Sequence, residues 1–147
     1  MDLVTAVIAL TVLLAVTVGV GALLRWRDGR PRRPSADEVV DPRRFGASRD
    51  ALGSTATLLQ FSTETCARCP GVHRTLSAIA SATDDVVHLD VDLTDRPDIA
   101  RHFQVMQTPT TLVLDRRGVV RTRFGGAPSR DVVQLEILRL RGDAAPV

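Results

Sequence analysis

The chain has 147 residues, a formal net charge of +2 and two cysteines, Cys66 and Cys69. That length suits one domain of about 100 residues with an appendage. Two cysteines exclude a multi-disulfide scaffold, so a hydrophobic core must hold the fold. All nineteen basic side chains are arginine and only five residues are aromatic, so no nucleic-acid partner is expected. The lysine-free, arginine-rich composition points to the coding bias of a high-GC bacterial genome.

Residues 3–24 carry no charge and consist of Leu, Val, Ile, Ala, Thr and Gly. As a helix they would extend about 33 Å at ~1.5 Å per residue, against a hydrocarbon core of about 30 Å. A cleaved signal peptide fits less well. Asp2 stands where a basic residue is expected, the apolar run is long, and Arg25-Trp26-Arg27 replaces a small-residue cleavage site. The expectation is a retained single-pass transmembrane anchor over residues 1–24. Arg25, Arg27, Arg30, Arg32 and Arg33 flank its C-terminal side, while its N-terminal side offers Asp2 and the α-amine. The positive-inside rule then places the following domain in the cytoplasm, at the inner face of the plasma membrane. The same arginines can lie on anionic membrane lipid.

Pro31, Pro34 and Pro42 deny residues 25–44 a regular helix, which predicts a mostly irregular basic linker. Val39-Val40 is a candidate edge strand of the domain behind it. That domain runs over residues 45–142, with a tail at 143–147. Residues 56–62 read as a buried strand, and 66–82 as a helix with Val72, Leu76, Ile79 and Ala80 on one face. Pro70 falls in the first turn of that helix, where its missing N–H has no intrahelical partner to lose. Residues 86–91 form a second strand, 96–102 a short helix and 111–114 a third strand. Asp115-Arg116-Arg117-Gly118 is a hairpin turn into a fourth strand over 119–124. Ser129 can cap a last helix with Val133, Ile137 and Leu140 as its apolar stripe. This order predicts an α/β domain, a mixed sheet with helices on both faces.

Cys66 and Cys69 directly follow the first of these strands. A C-x-x-C opening a helix after a strand holds two sulfurs close enough to form and break one disulfide. A helix N-terminus also favours the thiolate. With His73 one turn further on, the pair offers three metal ligands, short of a closed four-ligand zinc site, so no metal is expected.

Four pieces in order resemble the thioredoxin family over most of the chain behind the linker. They are the strand and C-x-x-C at 61–69, Leu89-Asp90-Val91-Asp92 ending the next strand, Thr108-Pro109-Thr110 before the third strand, and Phe124-Gly125-Gly126-Ala127 after the hairpin. The resemblance implies a thioredoxin fold, a mixed central sheet with flanking helices, behind one N-terminal transmembrane helix. It implies that Cys66 and Cys69 are catalytic and that Pro109 is a cis-proline facing them. It also implies that Thr108, Pro109, Gly126 and Ala127 border the substrate groove. A prolyl bond tolerates the cis form at small cost. Such a proline presents no N–H and leaves the backbone of Thr108 for an extended substrate to pair with.

The chain departs from thioredoxins around the pair. Ala67-Arg68 replaces Gly-Pro between the cysteines. Arg68 is either a cation that depresses the Cys66 pKa and makes the site a stronger oxidant, or a solvent-facing side chain whose effect is screened. Gln60 takes the place of the buried aspartate beneath the disulfide, and His88 that of its lysine. These two either carry protons for Cys69 near neutral pH or hydrogen-bond each other. Thr65 replaces the tryptophan before the first cysteine, and Arg74 a kinking proline.

The resemblance implies thiol–disulfide exchange on protein disulfides, without a cofactor, in the reducing direction. A reductase such as thioredoxin reductase would recharge the pair. Two alternatives stay open: the same chemistry on the outer side of the membrane, and a non-catalytic adaptor that binds a membrane partner through the groove.

Overall fold

The computed structural model describes residues 2–34 and 38–143; linker residues 35–37 and the tail beyond 143 lie outside them. Helix α1 (Leu3–Arg27) buries none of its side chains. Thr11 and Thr17 turn their hydroxyls back onto the carbonyls of Val7 and Leu13 at 3.0 and 2.8 Å, as polar groups in an apolar helix must. It is the one helix among the described residues long and apolar enough to cross a membrane.

The domain is built on strand β2 (Ala56–Ser62). It pairs in parallel with β3 (Val86–Asp92) and antiparallel with β4 (Thr110–Asp115), which pairs antiparallel with β5 (Val120–Gly125). Every β2 side chain except Ser62 is buried, because helices cover both faces of the sheet. The period of two sends Leu58 to the face of α2 (Cys69–Ser81) and α4 (Arg130–Asp143), among Leu76, Ile79, Val133 and Ile137. It sends Leu59 and Phe61 to the opposite face, against Ile99 of α3 (Pro97–His102) and Phe103 just beyond it. The rings of Phe61 and Phe103 lie 5.3 Å apart. Burial of each such side chain contributes about 1.5–3 kcal/mol. Gln60 shares the Leu58 face, so a polar side chain points up beneath the start of α2.

Strand bounds agree with the sequence reading to within one residue. The cysteine helix does not: α2 begins at Cys69, three residues later than expected. Pro70 has no N–H to donate, so it must sit in the first turn, and this draws the helix start forward. Cys66 therefore lies in the preceding turn. Its N–H donates to the Thr63 carbonyl at 3.1 Å, and its carbonyl accepts from Cys69 N–H at 3.2 Å.

The described part of the linker is mostly irregular, as its prolines predict, but it is docked on the sheet rather than free. Strand β1 (Pro31–Arg32) pairs antiparallel with β5, Pro31 opposite Phe124 and Arg32 opposite Arg123, giving the sheet order β1-β5-β4-β2-β3. Gly29 N–H donates to the Gly125 carbonyl at 2.8 Å. Further along, Val120 N–H donates to Glu38 O and Val40 N–H to Gly118 O, both at 2.8 Å. Val39-Val40, expected as an edge strand, contributes one bridge, Val39 to Val119. Proline forbids a helix but is tolerated on a sheet edge, where its missing N–H costs no ladder bond. Composition does not separate these outcomes.

Candidate functional site

Cys66 and Cys69 are joined as a disulfide with Cα atoms 5.4 Å apart. Cys69 is buried at the head of α2, while Cys66 is partly open to solvent. Of the two sulfurs, that of Cys66 is therefore the more open to attack. The loops around the pair converge at one end of the sheet. The Thr108–Pro109 peptide bond is cis. Thr108 Oγ1 lies 3.2 Å from Thr63 Oγ1, and Thr63 also holds the N–H of Cys66, so the proline loop is tied to the cysteine loop. Gly126 N–H donates to the Pro109 carbonyl at 2.8 Å, which brings the glycine turn to the same place. Ala127 follows at the rim.

Beneath the pair, Gln60 Nε2 donates to the Cys69 carbonyl at 3.2 Å. Its Oε1 lies 3.2 Å from His88 Nε2. An amide oxygen only accepts, so His88 carries its proton on Nε2, and Nδ1 accepts from the Ser77 hydroxyl at 2.9 Å. Burial lowers the His88 pKa below its ordinary value. The charge on His73 lowers it further, and Asp90 opposes both. Gln60 and His88 hydrogen-bond each other. This chain of bonds meets the backbone of Cys69 rather than its sulfur. His73, the third residue in the zinc consideration, commits Nδ1 to Asp90 at 2.9 Å and lies edge-on to the His88 ring.

Arg68 is exposed, as the solvent-facing reading has it, but it is not without a partner. Its guanidinium pairs with the carboxylate of Asp28, the first residue beyond α1. The same carboxylate lies over Gly126, where a Cβ would collide with it. Gly29, at φ +71°, runs so close to Ala127 that a Cβ would strike the Ala127 carbonyl. Asp28 and Gly29 are site residues that sequence reasoning missed. One signal pointed to them: Asp28 is the single acid among the five arginines of residues 25–33.

Two cavities matter here, and the first opens on the pair itself. One, of about 450 Å³, is lined by Thr63, Glu64, Cys66, Cys69, His73 and Asp90 among others. The other, of about 400 Å³, lies between the last turn of α1 and the proline loop, with Leu24, Arg27, Met106, Gln107 and Gly125 in its walls.

A strand-anchored C-x-x-C disulfide, a cis-proline loop and a glycine turn at one end of a mixed sheet define a redox domain of the dithiol type. The Thioredoxin family model matches residues 46–138. The chain belongs to the thioredoxin family. It is 34% identical over 94 residues to the thioredoxin of Mycolicibacterium smegmatis, covering 61% of this chain and 83% of that one. It is 31% identical over 84 residues to Thioredoxin H2 of Arabidopsis thaliana; the match covers 57% of this chain and spans 62% of the relative's length. Among solved structures, a mutant thioredoxin from Halobacterium salinarum superposes with a TM-score of 0.57 at 17% identity, over 69% of this chain and 86% of that one. The long form of spinach chloroplast thioredoxin F gives 0.56 at 23%, over 69% and 84%. These two likenesses show the fold. The family match leaves out α1 and residues 28–32 behind it, the strap that lies on Gly126 and pairs with β5.

Proposed function

We propose that this chain is a membrane-tethered thiol–disulfide oxidoreductase that reduces protein disulfides at the inner face of a bacterial plasma membrane. Residues 1–24 serve as anchor, 25–44 as linker and 45–142 as the redox domain. The observation that carries the reading is the asymmetric pair, an accessible Cys66 bonded to a buried Cys69 beside the cis-proline loop. In the reduced protein the Cys66 thiolate attacks one sulfur of a substrate disulfide. That bond breaks as the mixed disulfide forms, and the departing sulfur takes a proton from water. Cys69 then loses its proton and attacks the Cys66 sulfur, which releases the second substrate thiol and leaves the Cys66–Cys69 disulfide. Thr108, Pro109, Gly126 and Ala127 line the path of the substrate chain. A dithiol reductase such as thioredoxin reductase returns the pair to its reduced form.

The tether reading is supported by the bare apolar surface of α1. The five arginines behind it support the cytoplasmic side. Trp26 suits the headgroup region, and the Arg30 guanidinium lies 3.5 Å over its ring. The decisive experiment is Cys66→Ser, which should abolish reduction of insulin by the full chain; an unchanged rate rules the mechanism out. In intact, pre-reduced cells a membrane-impermeant maleimide should label the cysteines only after permeabilisation. Strong labelling beforehand puts the domain outside.

A further inference from the structure

The path of the chain from α1 into the domain fixes where the disulfide sits. Asp28 follows the last helical residue directly, and it is bonded to Arg68, the second of the two residues between the cysteines. Gly29 is hydrogen-bonded to the glycine turn, and Pro31–Arg32 pair with the end of β5 nearest the site. Further on, Val39 forms an antiparallel bridge with Val119, just ahead of β5. If residues 28–44, the seventeen beyond α1, were free, they would sweep roughly 20–25 Å as a flexible coil. Here no free residue separates the helix from the groove. The end of the sheet that carries the disulfide is the end from which the helix leaves. Met106, 92% exposed on the proline loop, shares a cavity wall with Leu24 and Arg27 of the helix's last turn.

The cavity at the sulfurs has a charge of its own. Glu64, Asp90 and Asp92 line it against Arg74 and His73. It suits a chain that brings positive charge to the disulfide. The segments that flank cytoplasmic ends of membrane helices are rich in arginine and lysine.

We propose that the substrates are disulfides in the basic, membrane-proximal segments of integral membrane proteins, which the strap brings within reach by holding the groove at the bilayer surface. This rests on the oxidoreductase and membrane-tether readings above. One substrate disulfide and the Cys66/Cys69 dithiol give one substrate dithiol and the Cys66–Cys69 disulfide. Two electrons pass to the substrate, and an external dithiol is needed for a further turnover.

The test uses the full chain, pre-reduced and freed of reductant, in nanodiscs, in a single turnover. Two synthetic substrates carry the same arginine-flanked disulfide loop on the same transmembrane peptide. In one the loop follows the helix at once, and in the other it sits behind a long Gly/Ser spacer. The near loop should be reduced about tenfold faster than the far one, as effective concentration falls with spacer length. A Gly/Ser insertion between Arg27 and Asp28, which keeps the strap on the groove and frees the domain from the bilayer, should erase the preference. Equal rates in the unaltered protein, or a preference that survives the insertion, overturn the proposal. Failure to reduce even the free soluble loop overturns the oxidoreductase reading instead, and release of the protein from membranes by alkaline carbonate overturns the tether.

Discussion

The carboxylate of Asp28 meets the guanidinium of Arg68, which joins the end of the apolar helix to the loop between the two cysteines. The pair is forty residues apart in the chain. It gives the cation between the two cysteines a counter-charge and lays the strap over Gly126.

Removing that counter-charge should make the dithiol more reactive. In Asp28→Asn, Arg68 faces the site unopposed, so more of Cys66 ionises and the reduced form gains. Alkylation of the reduced protein at pH 7 should quicken about two- to threefold, and the reduction potential should become less negative. Arg68→Ala alone leaves the Asp28 carboxylate unopposed and should slow alkylation, and in Asp28→Asn/Arg68→Ala the gain should vanish. A gain that persists in the double variant would show that the strap acts by packing alone.

Gly29→Ala should lift the strap. Its φ of +71° and its closeness to the Ala127 carbonyl leave no room for a methyl group. The left-handed backbone alone costs about 1–2 kcal/mol for an alanine. Tryptic cleavage within residues 30–33 should accelerate, with the unfolding temperature of the domain within a few degrees of the parent, because β1 is only two residues long. Cleavage at the parent rate counts against the docked strap.

Acid should find His88. Burial and the facing His73 hold its pKa below 6.5 despite Asp90, so the unfolded chain takes up the proton more readily than the folded one. The contribution is complete above about pH 6.5 and is lost as pH falls from there through the folded value. His88→Gln should show a flatter dependence of stability on pH between 7 and 5 than the parent. An equal or steeper slope would refute the assignment. His73, paired with Asp90, is common to both proteins.

The β4–β5 turn depends on Asp115. Burial pulls its carboxyl upward. The N–H groups of Val119 and Arg117 and the Arg121 side chain outweigh this and hold it below the usual carboxylate value. Asp115→Ala should cost about 1–3 kcal/mol in denaturant unfolding, since it strands backbone donors. The parent should lose this advantage as pH falls through about 4 toward the lower folded pKa. Equal stability of the two proteins at pH 7 would contradict the bond pattern.

Much of the domain was legible because its signals are local. The strand at Ala56–Ser62 reads as an unbroken apolar run because both faces of the sheet are covered. A period of two then puts Gln60 on the face beneath α2, whatever the rest of the chain does. The start of α2 was misplaced because proline position, not apolar spacing, decides it. The docking of the basic linker is invisible for a similar reason, since prolines exclude a helix and say nothing of an edge strand.

The sequence by itself determined the redox pair, the apolar helix and the order of strands, each through spacing along a few residues. Only the tertiary structure decided that the helix leaves from the active-site end and that Asp28 answers Arg68. Those contacts join residues forty or more positions apart, where β5 offers an unpaired edge and Gly126 leaves room for a carboxylate. No local pattern encodes such a meeting, because it depends on which sheet edge the folded domain leaves open.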